Sequence, residues 1–202
     1  MLTNSTQKIF FSIANGKIRH RDKDGNIQSY DTIEGFLVGV GRRQRDIGGR
    51  PTNVIDLEIV DGAENYCVSI IADSGVARSI LCSLYGITDF KTRKVKIVTR
   101  LKVVNGKEYT NVYVYSGGEQ AKWAIKLPEP ESFKLPTGET HISYKKRDDV
   151  LSKCIDDINA RINGGVAPEE PEDEQDLDPS PSGGVDEMNF LSGDDGDLPP
   201  SY

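Results

Sequence analysis

Between Lys94 and Tyr115 the sequence spaces basic residues and tyrosines in a way that can do binding chemistry. Asn105-Gly106 is the dipeptide of a type I′ turn, whose two central residues take positive φ, and it joins two runs of alternating residues. With that turn Val104 pairs with Lys107. The register then sets Lys102 opposite Tyr109, Arg100 opposite Asn111, Val98 opposite Tyr113 and Lys96 opposite Tyr115. Side chains alternate faces along a strand, so these eight share one side. Ile97, Leu101, Val103, Val112 and Val114 take the other side, where a core is expected. Cations interleaved with aromatic faces suit unpaired polynucleotide: charges follow phosphates, and each stacked base contributes about 1–3 kcal/mol. Tyrosine opposite lysine or valine is also an ordinary stabilising pair on any half-exposed sheet.

Arg42, Arg43, Arg45 and Arg50 stand among Gly41, Gly48 and Gly49, in a stretch expected to form a polar loop over residues 44–51. Guanidinium groups fork onto phosphates and stack on bases. Lys91, Arg93 and Lys94 form a third basic cluster, and Trp123 is a further stacking candidate. Other chemistry finds no support. His20 and His141 have no nucleophile motif beside them, and nucleophilic catalysis needs a base next to its nucleophile. Cys67, Cys82 and Cys154 are scattered, with no paired metal-ligand spacing. The run GVGRRQ lacks the GK[ST] of a phosphate loop, and Asp22-Lys23-Asp24-Gly25 places its glycine one position early for a calcium loop. No catalytic residue, metal ligand or cofactor is therefore assigned.

The formal net charge of −7 hides a division. Residues 165–202 carry twelve acids and no Lys or Arg, so the first 164 residues keep 20 acids against all 25 basic residues, a net of +5. A mildly basic body can attract a polyanion; the tail repels one. Rich in Pro, Gly, Ser and acid, the tail from about residue 164 cannot bury enough apolar surface to offset its ordering entropy, and is expected to be disordered. Phe190, Leu191, Leu198 and Tyr202 reappear among Asp194, Asp195 and Asp197, as in a short docking motif. The body, residues 1–163, is expected to be one domain. Three cysteines and no long apolar run point to a reduced, soluble, cytoplasmic protein.

The elements that must position these residues are mostly short strands. Residues 8–13 and 17–21 flank Asn15-Gly16, a first hairpin signal. A glycine-dotted strand follows over 33–42, then strands over 52–61, with Ile55, Leu57 and Ile59 on one face, and over 66–73. Residues 74–85 switch to helical spacing, with Val76, Ala77, Ile80, Leu81 and Leu84 in one stripe, Ser74 as N-cap and Gly86 as the residue past the end. Strands at 94–104 and 107–115 form the second hairpin, and 122–127 is expected to extend the sheet. A second helix is expected over 148–162, ended by Gly164 and Gly165. Strand, strand, strand, helix, strand, strand is the order of the OB-fold, a mainly β (α+β) class built on a five-stranded Greek-key barrel. Its loops after the first and fourth strands contact oligonucleotides.

An OB-like body, a Pro/Gly/acidic linker and the terminus FLSGDDGDLPPSY resemble the single-stranded DNA-binding proteins of bacteria and their phages. The resemblance implies a protein that coats and protects single-stranded DNA in replication, repair and recombination. It also implies that Phe190, Leu191, Asp194, Asp195, Asp197, Leu198 and Pro199 recruit replication and recombination proteins. The family tip usually ends in proline and phenylalanine, whereas this one ends Pro199-Pro200-Ser201-Tyr202. A protein-interaction or virion-assembly module, or an RNA-binding protein, stays open as an alternative.

Overall fold

The computed structural model describes residues 8–136 and 138–164, so the expected tail and its docking residues lie outside the described residues. The described chain is mainly β, with eleven strands and two helices. The N-terminal hairpin forms as its turn dictates. β1 (Lys8–Ala14) and β2 (Lys17–Arg21) flank Asn15 at φ 52° and Gly16 at φ 69°. A short strand, β3 (Ile27–Tyr30), then pairs with β2. After the single residue Asp31 the chain enters β4 (Thr32–Ile47), followed by β5 (Arg50–Asp61) and β6 (Glu64–Ile71). Helix α1 (Gly75–Tyr85) precedes β7 (Val95–Val104) and β8 (Lys107–Ser116), and the two-residue β9 (Glu119–Gln120) lies on β8.

These nine strands make one mixed sheet in the order β3-β2-β1-β6-β5-β4-β7-β8-β9. No β6–β8 pair closes a barrel among the described residues, contrary to the five-stranded closure expected from the strand order. The edge of β6 instead takes β1 in parallel, from Lys8 beside Asn65 to Ser12 beside Ser69. Because one residue joins β3 to β4, the sheet must roll until its β3 edge returns beside β4. The Thr99 amide donates to the Asp31 carbonyl at 2.8 Å and carries the β4–β7 ladder through that kink.

Inside the roll lie Ile18, Leu37, Leu57, Ile59, Val68, Ile97 and Val114, all at most 1 % exposed. Burying each such side chain contributes about 1.5–3 kcal/mol relative to leaving it in water. Helix α1 covers this core with Ala77, Ile80, Leu81 and Leu84, and the Ser74 hydroxyl accepts from the Ala77 amide as its N-cap. Gly86 is not the left-handed terminator expected: its φ is −74°. It is needed for close approach, since a Cβ there would stand 2.9 Å from the Lys122 carbonyl oxygen and 3.2 Å from the Ala124 Cβ.

The C-terminal part departs from the expected elements in two places. Residues 122–127 form no strand, and the proline-broken stretch after them holds an exposed hairpin, β10 (Glu131–Lys134) with β11 (Thr140–Ser143). Helix α2 (Lys145–Ile162) begins three residues before the expected start, and Gly164 follows it at φ 89°. Its Leu151, Cys154, Ile155 and Ile158 are buried as their spacing requires. Arg161 caps the end of α1: its Nη1 donates to the Ile87 carbonyl at 3.1 Å and to that of Tyr85, whose ring lies 4.6 Å away.

Where β4 bulges between Leu37 and Gly39 it needs a partner on its open edge. Asn159 of α2 supplies one. Its Oδ1 accepts from the Val40 amide at 2.9 Å and its Nδ2 donates to the Val40 carbonyl at 2.7 Å, so one side-chain amide stands in for a neighbouring strand. Asn159→Leu leaves both backbone groups unpaired, and is expected to cost about 1–3 kcal/mol in urea unfolding. An unchanged midpoint would show that water serves those groups equally well.

Candidate nucleic-acid interface

The second hairpin carries its residues in the expected register. Asn105 at φ 51° and Gly106 at φ 76° make the turn, and Lys102 faces Tyr109, Arg100 faces Asn111, Val98 faces Tyr113 and Lys96 faces Tyr115. Ile97, Thr99 and Val114 are buried on the opposite side, so the tyrosines point away from the core, each partly exposed. The Arg100 guanidinium lies 5.9 Å from the Tyr113 ring centroid, within cation–π range.

The core behind this face is shorter than expected. Leu101 is 46 % exposed and Val103 61 %, because alternation fixes which face a residue takes but not whether anything covers it. Past Thr99 the hairpin projects beyond the body, and the Asn15-Gly16 turn packs against it at Leu101. The Gly16 amide donates to Thr110 Oγ1 at 2.9 Å.

Several candidate cations already have carboxylate partners. Lys96 lies 3.6 Å from Glu34, and Lys94 pairs with Asp61 at 2.8 Å while standing 5.9 Å from the Phe36 ring. The hydrogen bond to Asp61 holds the Lys94 ammonium above its ordinary range. Among the described ion pairs none involves Arg100 or Lys102. These two, with Lys107 at the turn, carry the unopposed positive charge of this face.

The arginine segment is not a loop. β4 and β5 stay paired out to Ile47 and Arg50, around a two-residue turn with Gly48 at φ 62° and Gly49 at φ 79°. Arg43 and Arg45 alternate onto the outward face. Arg42 falls on the other side and donates to Ser152 Oγ of α2 at 2.7 Å. Arg43 forms a two-nitrogen pair with Asp56, which is only 8 % exposed and also accepts from Ser69. Arg45 and Arg50 have no described ion pair.

This ribbon and the tyrosine hairpin lie on one continuous sheet face but do not meet. β4 pairs with β7 only over Thr32–Gly35, and Arg42 comes seven residues further along, about 23 Å of strand. Trp123 is 57 % exposed on the segment joining the β8 edge to the end of α1, and none of the described ring contacts connects it to the tyrosines. Arg93 packs against Gly117 in the turn after β8.

A further cationic row, Lys17, Arg19 and Arg21 of β2, lies outside the expected contact residues. Its signal was the alternation in KIRHR around Ile18, which is wholly buried. The inward side of the same hairpin is aromatic: Phe11 lies 5.4 Å from His20, 6.0 Å from Tyr30 and 5.6 Å from Tyr66. A hydrogen bond to Glu64, and secondarily burial, pushes the Tyr66 hydroxyl up to about 12. Burial also pushes the Cys82 and Cys154 thiols up to about 11, so both are protonated at neutral pH.

Among the described residues no group of His, Cys, Asp and Glu could hold a metal ion, and no helix is long and apolar enough to cross a membrane. In comparisons with family models, curated proteins and solved structures, nothing matches the chain.

Proposed function

We propose that this chain is a non-enzymatic single-stranded DNA-binding protein that coats and protects the strand in replication and recombination. The observation that carries this reading is the outward register of Tyr109, Tyr113 and Tyr115 with Lys96, Arg100 and Lys102. Bases stack on the rings while the unopposed charges of Arg100 and Lys102, and of Arg45 and Arg50 at the far end, neutralise phosphates. The strand pairing supports the same reading. The pairs β4–β5, β5–β6, β4–β7 and β7–β8, with α1 between β6 and β7, follow the OB order, in which the barrel is partly open. Docking of β1 on β6 takes the place of the closing pair.

Titrating labelled single-stranded DNA, duplex DNA and RNA of equal length tests it. Single-stranded DNA should bind best, losing about 0.7 log units of affinity per log unit of salt for each phosphate contacted. No binding at low salt would overturn the reading. It would favour protein docking instead, the alternative that exposed Leu101 and Val103 support.

The acidic segment would recruit partner proteins through Phe190, Leu191, Leu198 and Pro199 among Asp194, Asp195 and Asp197, and would compete with DNA for the basic face. Removing residues 165–202 changes the net charge from −7 to +5. The truncated chain is expected to bind single strands on the order of tenfold more tightly at low salt. Unchanged or weaker binding removes the competition.

A further inference from the structure

The outward side of the N-terminal hairpin repeats the composition of the tyrosine face. Ile18 points into the core, so Lys17, Arg19 and Arg21 point out. β1 pairs Phe11 with His20 and Ser12 with Arg19, a register that sets Phe10 opposite Arg21. Phe10 is 49 % exposed there, a large aromatic ring that the core does not use.

Three carboxylates near this side are paired, Glu58 with Lys8 at 2.6 Å, Asp56 with Arg43, and Asp31 with Lys17 at 2.5 Å, while Asp22, next to Arg21, accepts hydrogen bonds from the Asp24 and Asn26 amides of its own turn. Arg19 and Arg21 have no described ion pair. Arg19 Nε is buried without a hydrogen-bond partner, and Arg21 donates only to the Gly25 carbonyl of its own turn, at 3.3 Å. Their charge is available to a ligand.

The hairpin also adjoins the tyrosine face. A cleft of about 560 Å³ along the edge of β7 is lined by Gly16, Lys17 and Asp31 on one side and by the consecutive residues 98–101, from both faces of β7, on the other. Lys17 neutralises Asp31 within it, so no net negative charge separates Arg100 from Arg19.

We propose that the outward face of β1–β2 is a second contact surface for the same nucleic-acid strand, which runs from Tyr113 and Arg100 across the cleft at Lys17 onto Arg19, Arg21 and Phe10. The inference rests on the single-strand-binding reading above and extends it. From Lys17 to Arg21 the surface adds about 13 Å of track. Exposed cations beside a ring favour polynucleotide over an acidic protein surface, which has no bases to stack.

The test compares oligothymidines of about 6 and about 20 nucleotides on the full chain, the shorter being within the range one such domain holds. Arg19→Gln/Arg21→Gln is expected to lower the salt dependence for the long oligomer by about 1.4, two phosphates' worth, and to leave the short one unchanged. Phe10→Ala, at a half-exposed position, should weaken the long oligomer about 5- to 150-fold. Unaltered long-oligomer binding by both variants would overturn the second surface while leaving the function standing. Failure of the unmutated chain to bind either oligomer would remove both.

Discussion

Tyr113→Ala is expected to weaken binding of single-stranded DNA by about 1–3 kcal/mol, roughly 5- to 150-fold, while barely altering stability. Tyr113 stands opposite Val98 in the middle of the cationic face, with Arg100 at 5.9 Å. Its ring is partly exposed, so the folded chain loses only a cross-strand pair, about 0.2–1 kcal/mol, when it is removed. For a chain of this size that lowers the melting temperature by at most roughly 4 °C. The bound state loses a stacked base as well. Tyr113→Phe keeps the ring and should bind as the unaltered chain does. Arg100→Ala should lower the salt dependence by about 0.7, the share of one phosphate. If alanine at 113 binds as well as tyrosine, the ring is there for strand pairing alone. If phenylalanine fails as badly as alanine, the hydroxyl rather than the stacking surface makes the contact. Fluorescence titration at two salt concentrations separates these outcomes.

What the sequence made legible was local. Asn15-Gly16 and Asn105-Gly106 announced two hairpins because a type I′ turn, which matches the strand twist, needs positive φ at both central positions, and from the second the tyrosine register followed without any tertiary information. Gly48-Gly49 is a turn of the same kind, but the residues around it, Arg43 to Thr52, have no apolar alternation, and a strand with neither face buried gives no periodic signal. The segment therefore read as loop. Sheet closure was illegible for another reason. β1 joins β6 in parallel across more than fifty residues, and nothing near Lys8 or Asn65 records that pairing. The apolar side chains of Leu101 and Val103 identified a face but not a neighbour. The row Lys17, Arg19, Arg21 was readable in principle, since its alternation around Ile18 is as regular as that of β7. Without tyrosines of its own on β2, it lacked the feature that made the other hairpin stand out.

Gly16→Ala tests the contact on which the projecting tyrosine hairpin depends. Gly16 sits at φ 69°, where an L side chain costs about 1–2 kcal/mol. A Cβ there would also fall 2.4 Å from the Leu101 amide nitrogen and 2.7 Å from its Cα. Those are backbone atoms of the neighbouring strand, so no rotamer change relieves the clash, and overpacking of this kind adds about 1–3 kcal/mol. The combined loss of roughly 2–5 kcal/mol should lower the melting temperature by about 5–20 °C. Gly25→Ala is the matched control. Its φ is 87°, but its Cβ would meet only the flexible tip of Arg21, at 4.0 Å, so it carries the conformational cost without the collision. If the two variants melt alike, the first hairpin does not brace the second. If Gly16→Ala is clearly worse, the damage should be visible where the brace acts. Amide exchange should quicken across residues 99–112, and binding of single strands should weaken with it, because a face that stacks bases must be held still by something, and behind Leu101 that something is the Asn15-Gly16 turn.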